Sequence, residues 1–245
     1  MIYILLPVFN EEKNLEKLFE KIQNGMQRRG FKYQAIVYND GSSDKSQEIL
    51  SKLAKIFPIT ILGKPQNEGL GVAFLNLLKE IIRISDSEED IAVVLDSDNS
   101  HNPEHIYQMV NKIHDGFDVV IASRYLTDSR IVGVSHFRKI LSFFASVLMR
   151  ILFPIEGVKD YTCGYRAYSI SILKRVFQKF GENTIEERGF ACMAEFLIKL
   201  RVFNLLAVEI PLVLRYDQKG GESKMNILAT VKKTILMLIR LFQIK

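Results

Sequence analysis

One apolar stretch with two acidic residues at its end constrains the fold more than any other feature. The run from Ile91 to Leu95 is entirely apolar and leads directly into Asp96 and Asp98. A continuous apolar run of this length is typical of a strand buried within a parallel sheet. Ligands of open α/β sheets bind beyond the carboxyl ends of the strands. The stretch therefore predicts a polar site there, although a surface turn before a helix near Pro103 is the alternative.

The rest of the first half alternates strands and helices in the same way. Further strands are predicted at about 2–6, 34–38, 59–62 and 117–122. Helical spacing of apolar residues lies between them, at about 15–22, 49–56, 71–84 and 105–113. Asn10 is the predicted N-cap of the first helix. This alternation predicts an α/β protein with a doubly wound, Rossmann-like, mostly parallel sheet flanked by helices.

The alternation stops after Arg124. We predict an apolar helix, a loop that enters a short strand, a second helix, a strand and a last helix, at about 137–153, 160–166, 191–200, 205–215 and 227–244. The first and last of these helices combine apolar residues with flanking basic ones. Both patterns fit a helix at an anionic membrane interface, and both fit a core helix.

Composition narrows the class of protein. The net charge of +5 suits a phosphorylated substrate or an anionic membrane surface, and no basic block is dense enough to favour nucleic acid. Cys163 and Cys192 form no C-x-x-C pair, which favours a reducing compartment without a disulfide framework. The first apolar run stops at Pro7 without a basic region before it, so we expect no signal peptide. No window reaches the ~18 apolar residues of a clear membrane span.

Polar motifs follow three of the predicted strands and should meet at one sheet edge. They are PVFNE after the first strand, NDGSSD after the second and DSD after the fourth. Phe9 offers a surface for a nucleoside base, and Glu11 and Asp40 offer carboxylates for base N–H groups or ribose hydroxyls. Taken singly, Glu11 also fits ordinary first-turn helix chemistry, and Asp40 an ordinary turn. The set predicts a nucleotide site.

The sequence lacks the glycine-rich phosphate loops of other nucleotide folds. There is no G-x-x-x-x-G-K-[ST] motif and no G-x-G-x-x-G motif. A bound diphosphate would therefore need a divalent cation for charge neutralisation. Mg²⁺ is typically held by one or two carboxylates together with substrate oxygens. Asp96 and Asp98 are the predicted ligands of Mg²⁺ or Mn²⁺.

The ordered motifs PVFNEE, NDGSSD, NEGLG, DSD, SRY and DYTCGYRAY resemble those of family 2 glycosyltransferases with the GT-A fold. The resemblance is to the dolichol-phosphate mannose synthase and polyprenyl-phosphate glycosyltransferase group, and it extends to about Lys224. It implies a catalytic domain over 1–224, with a nucleotide-binding half (1–124) and a C-terminal acceptor-side extension (125–224). A C-terminal amphipathic helix would occupy 225–245.

This resemblance implies roles for the matching residues. The nucleotide contacts would be Pro7, Phe9, Glu11, Asp40 and Asp96, and the metal ligands Asp96 and Asp98. The acceptor phosphate would be bound by Ser123, Arg124, Arg138, Ser142 and Arg215, with Lys224 beyond them. Asp98, Arg124 and Asp160 would be the catalytic residues, and Asp160 and Glu195 match acidic positions to which we assign a positioning role. Ser100 replaces a glutamine that often supplies a further metal ligand, and Asn39 replaces an aspartate.

Two histidines invite a different metal. His101 and His105 stand four residues apart, so they would share a face if both lay on one helix. Pro103 lies between them, and no H-E-x-x-H motif is present. We therefore interpret them as surface histidines and not as zinc ligands.

The function expected from the resemblance is sugar transfer from a GDP- or UDP-sugar to a dolichyl or undecaprenyl phosphate. We expect the reaction to be metal-dependent and inverting, at the inner face of a membrane to which a cytoplasmic protein binds peripherally. One alternative is transfer to a sugar hydroxyl in surface-polysaccharide synthesis, with Asp160 as the base. A second alternative is a GT-A-like subunit that binds nucleotide without catalysis.

Overall fold

The computed structural model describes residues 1–218 and 227–243, apart from the side chains of 227–229. Within these ranges the strands are β1 (Ile2–Val8), β2 (Tyr33–Asp40), β3 (Ile59–Lys64), β4 (Ile91–Val94), β5 (Val119–Ser123), β6 (Arg130–Val132), β7 (Arg166–Ser169), β8 (Ala207–Pro211) and β9 (Val213–Arg215). The helices are α1 (Leu15–Arg28), α2 (Ser46–Leu53), α3 (Leu70–Ile84), α4 (His105–His114), α5 (His136–Leu152), α6 (Ile170–Phe180), α7 (Cys192–Leu200) and α8 (Ile227–Leu241).

The central sheet has the order β3-β2-β1-β4-β7-β5-β8. Strands β1 to β4 are parallel to one another, and β5 is parallel to β8. The four residues of β4 are all buried, as expected for a strand covered by helices on both faces. The predicted doubly wound, mostly parallel sheet with flanking helices is confirmed.

Strand β7 is the antiparallel member of the central sheet. It pairs antiparallel with β4 on one side and β5 on the other. The loop before β7 lies at the carboxyl edge of the parallel strands, so a strand that leaves this loop must run back across the sheet. Arg166 is consequently level with Val94 and Ile121, near the end where the polar residues gather.

Two local predictions were wrong, and one helix was missed. Helix α1 begins at Leu15 with Asn14 before it, and Asn10 instead has a left-handed backbone with φ 53°. Helix α6 was not predicted, although Ser169 accepts a hydrogen bond from the backbone N–H of Ile172 as its N-cap. The single strand expected at 205–215 is two strands, because β8 joins the central sheet and β9 pairs with β6.

The first turn of α3 has no room for a side chain at either of its glycines. A Cβ atom on Gly71 would lie 1.7 Å from the carbonyl oxygen of Glu187, and one on Gly69 would lie 2.5 Å from that of Arg188. Gly69 also has a positive φ of 101°. The NEGLG motif thus lets the 187–188 backbone lie directly against the start of α3.

We expect Gly71→Ala to lower the free energy of unfolding by about 1–3 kcal/mol, as overpacking of a close contact does. Gly25→Ala in α1 is the matched control, because a Cβ there meets nothing within 4 Å. Alanine is the better helix former by about 1 kcal/mol, so the control should be neutral or stabilising. Urea denaturation of both variants measures the difference. Equal effects would contradict the close contact at Gly71.

Candidate functional site

Hydrogen bonds join the loops that follow β1 and β2. The backbone N–H of Asn10 donates to the Ser42 hydroxyl at 2.9 Å, and the Asn10 side-chain oxygen accepts from the N–H of Ser43 at 2.7 Å. The N–H of Glu11 donates to the Ser46 hydroxyl at 2.8 Å. Asparagine tolerates the left-handed backbone that brings these groups together, which explains why Asn10 is not a helix cap. The polar ends of both strands therefore form one surface.

Asp40 is a buried carboxylate that holds a neighbouring turn. One oxygen accepts from the N–H of Glu68, and the other from the N–H of Gly69 and the side chain of Asn67, each at 2.9 Å. An ionised carboxylate has about four acceptor sites. Three internal donors thus leave about one direction for a ligand. The predicted nucleotide contact at Asp40 depends on this turn.

The remaining predicted nucleotide contacts lie on the loop after β1. Glu11 accepts a hydrogen bond from the Asn14 side chain at 2.6 Å, just before α1 begins. The carbonyl oxygen of Pro7 accepts from the Ser97 hydroxyl at 2.9 Å, which joins β1 to the DSD loop. Phe9 is half-buried between these two points. The structure thereby brings the first and fourth strand ends together as predicted for parallel neighbours.

Asp96 and Asp98 differ sharply in exposure. The Asp96 side chain is 48% exposed, whereas Asp98 is 6% exposed and accepts from the N–H of Ser100 at 3.0 Å. Ser100 itself is buried, and its carbonyl oxygen accepts from the N–H of Arg215. In the described part of the chain no three His, Cys, Asp or Glu residues form a metal-binding group. Two carboxylates one residue apart match the one or two with which Mg²⁺ is typically held, together with substrate oxygens and water.

The interpretation of His101 as a surface residue is wrong. His101 is 4% exposed, and its ring stacks on Tyr165 with 4.9 Å between centroids. Its Nδ1 accepts from the backbone N–H of Asp96 at 3.1 Å, so Nε2 carries the proton of the neutral ring. That nitrogen lies 3.8 Å from the Asp96 carboxylate. His101 thus holds the DSD loop in place from its buried side.

Arg124 and Asp160 form a buried ion pair beside the DSD loop. The guanidinium donates from Nε at 2.8 Å and from Nη2 at 2.6 Å to the two carboxylate oxygens. The backbone N–H groups of Arg124 and Cys163 also donate to this carboxylate, both at 3.0 Å. Asp160 is fully buried and Arg124 is 17% exposed. Among the described residues the Nη1 group of Arg124 makes no hydrogen bond, so this edge of the fork is available to a ligand.

The environment of Asp160 determines its protonation. Burial alone would raise the pKa of the carboxyl, but the Arg124 guanidinium and the backbone donors outweigh it and hold the pKa below its ordinary value. Both oxygens are occupied by these partners. Asp160 is consequently suited to orient Arg124 and poorly suited to remove a proton from a substrate.

Hydrogen bonds connect the ion pair to helix α5. Arg124 donates to the Thr162 hydroxyl, which lies 3.1 Å from the Ser142 hydroxyl. Tyr125 donates to Ser142 at 3.3 Å, and Arg138 lies one turn before Ser142 on the same helix. Arg138 is half-buried and has no hydrogen bond or ion pair within residues 1–218 and 227–243. Arg124, Ser142 and Arg138 thus form the centre of the predicted acceptor group.

Two other members of that group have different surroundings. Ser123 is fully buried, and its hydroxyl accepts from the N–H of Tyr125 at 3.2 Å, which gives it a structural role. Arg215 forms a two-pronged ion pair with Asp217, with both distances 2.8 Å. No described contact joins Arg215 to Arg124 or Arg138. Lys224 lies outside the described residues.

The loop 160–165 connects the acceptor group to the DSD loop. Gly164 lies beside Asp96, since a Cβ there would be 3.7 Å from an Asp96 carboxylate oxygen. At the end of the loop Arg166 is fully buried and donates to the carbonyl oxygens of Tyr161 and Met193, at 2.7 and 2.6 Å. Neither Arg166 nor Thr162 was among the predicted site residues. The available signal for Arg166 was its charge at the point where the predicted loop enters a strand.

The sequence is similar to those of known glycosyltransferases. Residues 3–177 match the family model described as Glycosyl transferase family 2. The chain is 31% identical over 226 residues to a dolichol-phosphate mannosyltransferase of Pyrococcus furiosus, covering 92% of this chain and 59% of the relative. It is 25% identical over 225 residues to a polyprenol monophosphomannose synthase of Mycolicibacterium smegmatis, covering 91% of this chain and 80% of that relative.

A solved structure has the same fold. It is the glucosyl-3-phosphoglycerate synthase of Mycobacterium tuberculosis in complex with Mn²⁺, uridine diphosphate and phosphoglyceric acid. The TM-score is 0.71 at 20% identity, and the match covers 100% of this chain and 79% of the other. Because the family model spans residues 3–177, well over half of the chain, the chain belongs to glycosyl transferase family 2.

Proposed function

We propose that this protein transfers a sugar from a nucleotide-sugar donor to a polyprenyl phosphate. One observation carries the proposal. A single loop, 160–165, places Gly164 beside the Asp96 carboxylate and binds the Arg124 guanidinium through Asp160. A negative leaving group and a phosphate acceptor need opposite kinds of site, and here an acidic and a basic site adjoin. The relatives named as dolichol-phosphate mannosyltransferase and polyprenol monophosphomannose synthase support this acceptor class.

On the donor side, Phe9, Glu11 and Asp40 are the proposed contacts of the nucleoside. Asp96 and Asp98 would hold Mg²⁺ or Mn²⁺, which supplies Lewis-acid neutralisation of the departing diphosphate when bound. The half-exposed Asp96 and the nearly buried Asp98 lie one residue apart on a loop fixed by His101. The Mn²⁺ and uridine diphosphate of the solved neighbour support a metal-dependent donor site on this fold.

On the acceptor side, Arg124 and Arg138 would bind the phosphate head group. Arginine matches phosphate oxygens with two parallel hydrogen bonds. The attacking oxygen of a phosphate is already anionic at neutral pH, so no strong general base is required. Direct displacement with inversion at the anomeric carbon is the outcome we propose.

The same geometry weakens the alternative of transfer to a sugar hydroxyl. A neutral hydroxyl needs a base within hydrogen-bond reach. The proposed base for that reaction was Asp160, whose carboxylate is fully buried and occupied by Arg124. The alternative without catalysis predicts that the wild-type protein shows neither donor hydrolysis nor sugar transfer.

A surface for lipid is available on helices α5 and α8. Their large apolar side chains lie in solvent, each at least 44% exposed: Phe137, Ile140, Phe143, Phe144, Leu148 and Ile151 on α5, and Ile235, Leu236, Ile239 and Phe242 near the end of the chain. Phe153 and Phe242 join the two helices, with 5.0 Å between ring centroids. We call this set the apolar stripe. An extended apolar surface of this kind is unusual on a monomer and typical of a binding site.

The apolar stripe fits the interface of an anionic membrane better than it fits a core. Core helices bury such residues, whereas here they are exposed next to basic ones such as Lys139 and Lys233. None of the helices in the described ranges is long and apolar enough to cross a bilayer. We therefore propose that the two helices lie in the interface and bring the acceptor arginines to the lipid head groups.

The metal proposal predicts that Asp98→Asn abolishes most turnover while the fold survives. The amide oxygen can still accept from the N–H of Ser100, but the site loses a charge. Thermal shift with GDP or UDP should show stabilisation that needs Mn²⁺ and disappears in EDTA. Asp86→Asn is the control, since Asp86 is exposed at the opposite edge of the sheet. Asp98→Asn activity within about twofold of wild type would exclude the proposed metal role.

The acceptor proposal predicts that Arg138→Ala raises the KM for a short-chain prenyl phosphate about tenfold or more. A charge-assisted bond to phosphate contributes ~1.5–3 kcal/mol, which corresponds to that factor. Nucleotide affinity and unfolding free energy should not change, because Arg138 has no described partner. Arg150→Ala, an exposed position on the same helix, is the matched control. Normal transfer by Arg138→Ala, or transfer to a sugar hydroxyl only, would refute the proposal.

The membrane proposal predicts that Ile151→Glu weakens binding to vesicles of anionic phospholipid about tenfold. Withdrawing from lipid an isoleucine side chain that the membrane covers costs ~1.5–3 kcal/mol of apolar transfer energy, which is about this factor. Co-sedimentation measures the effect. Ile56→Glu is the control, because Ile56 is 73% exposed but lies beyond α2, away from the apolar stripe. Equal binding of both variants would argue against a lipid contact through α5.

A further inference from the structure

Arg240 ties helix α8 to the body of the protein by its charge. Its Nη2 group donates to the Glu195 carboxylate at 2.9 Å and to Glu187 at 3.2 Å. Its Nη1 group lies 3.7 Å from Glu186. The apolar stripe of α8 ends at Phe242, two residues beyond. One arginine thus connects the proposed membrane helix to three acidic residues.

Glu195 lies at the centre of this cluster and is fully buried. One of its oxygens accepts from the backbone N–H groups of Glu186 and Glu187, at 3.0 and 2.8 Å. The other accepts from Lys199 at 2.8 Å and from Arg240. Glu195 therefore fixes the 186–187 backbone, and its charge is balanced by cations from two different helices.

Removing the charge of Arg240 would leave an excess of negative charge. Glu186, Glu187 and Glu195 would then face Lys199 alone among the cations that form ion pairs with them in the described structure. Burial raises the pKa of Glu187, and Arg240 acts against that shift. Without it, the repulsion between Glu187 and Glu195 would act on the segment 186–188 with less to offset it.

That segment rests on the donor side of the site. The carbonyl oxygen of Arg188 accepts from the N–H of Gly71 at 2.9 Å. Gly69 and Gly71 leave no space for a side chain beneath residues 187–188. The N–H of Gly69 in turn donates to Asp40. A continuous series of contacts therefore leads from α8 to the carboxylate proposed to bind the nucleoside.

We propose that Arg240 is a positioning residue for the donor site. It holds residues 186–188 on the first turn of α3, which fixes the 67–69 turn and hence the direction of the Asp40 carboxylate. Helix α8, distant in sequence from the donor site, thereby contributes to donor binding. The effect on donor binding rests on the proposed function, whereas the effect on the position of residues 186–188 does not.

Hydrogen exchange of the full chain tests, without any ligand, whether Arg240 holds residues 186–188 in place. In Arg240→Gln, which removes the charge and keeps a polar side chain, amides in 66–72 and 186–190 should exchange about tenfold faster. Strand β1 should be unchanged. Arg240→Lys should restore much of the protection, and Lys232→Gln, exposed on the same helix, should resemble wild type. Unchanged exchange in 66–72, or equal acceleration in β1, would overturn the proposal.

Steady-state kinetics tests whether Arg240 contributes to donor binding. We expect Arg240→Gln to raise the KM for the nucleotide-sugar about fivefold to tenfold, with kcat and the KM for a soluble prenyl phosphate nearly unchanged. A loss of folded protein would instead lower kcat alone. An unchanged KM for the nucleotide-sugar would refute a role of Arg240 in donor binding. If wild type binds no nucleotide, the proposed function fails, and hydrogen exchange still decides whether Arg240 holds the segment.

Discussion

The removal of the Asp160 carboxylate from water is the constraint on which the site depends. An isolated ion in a protein interior costs several kcal/mol, and only close partners offset that cost. Arg124 provides two hydrogen bonds to it, and backbone N–H groups provide others. The loop 160–165 must therefore curl around the carboxylate. Every residue on that loop inherits its position from the ion pair, including Gly164 next to Asp96.

The ion pair also determines what Arg124 can do. A free arginine samples many rotamers, and binding a ligand would cost the entropy of ordering it. Here the side chain is already ordered by Asp160 and Thr162, with one edge of the fork left for a partner. Arg138 has no such support. The two arginines should consequently contribute differently, with Arg124 preorganised and Arg138 ordered only by its ligand.

The sequence predicted what depends on local pattern and failed where distant groups decide. Apolar runs such as 91–95 identified the parallel strands, and the strand-end motifs identified one polar edge. The cap at Asn10 was wrong because its amide bonds to Ser43, a partner 33 residues away. His101 was misplaced because burial depends on Tyr165. The hydrogen bonds that Asp40 accepts from Asn67, Glu68 and Gly69, 27 to 29 residues away, are equally invisible in a single sequence.

The insertion of β7 between β4 and β5 has a consequence for how the molecule is made. Both neighbours of β5 in the sheet, β7 and β8, come from residues after 165. A chain that leaves the ribosome in order can pair β1 to β4 at once, but β5 must wait with both edges open. Such late, non-local pairing is slow and exposes strand edges to aggregation. The part of the sheet formed by β1 to β4 can therefore form early during synthesis, whereas the part that precedes Arg124 is completed only when most of the chain has emerged.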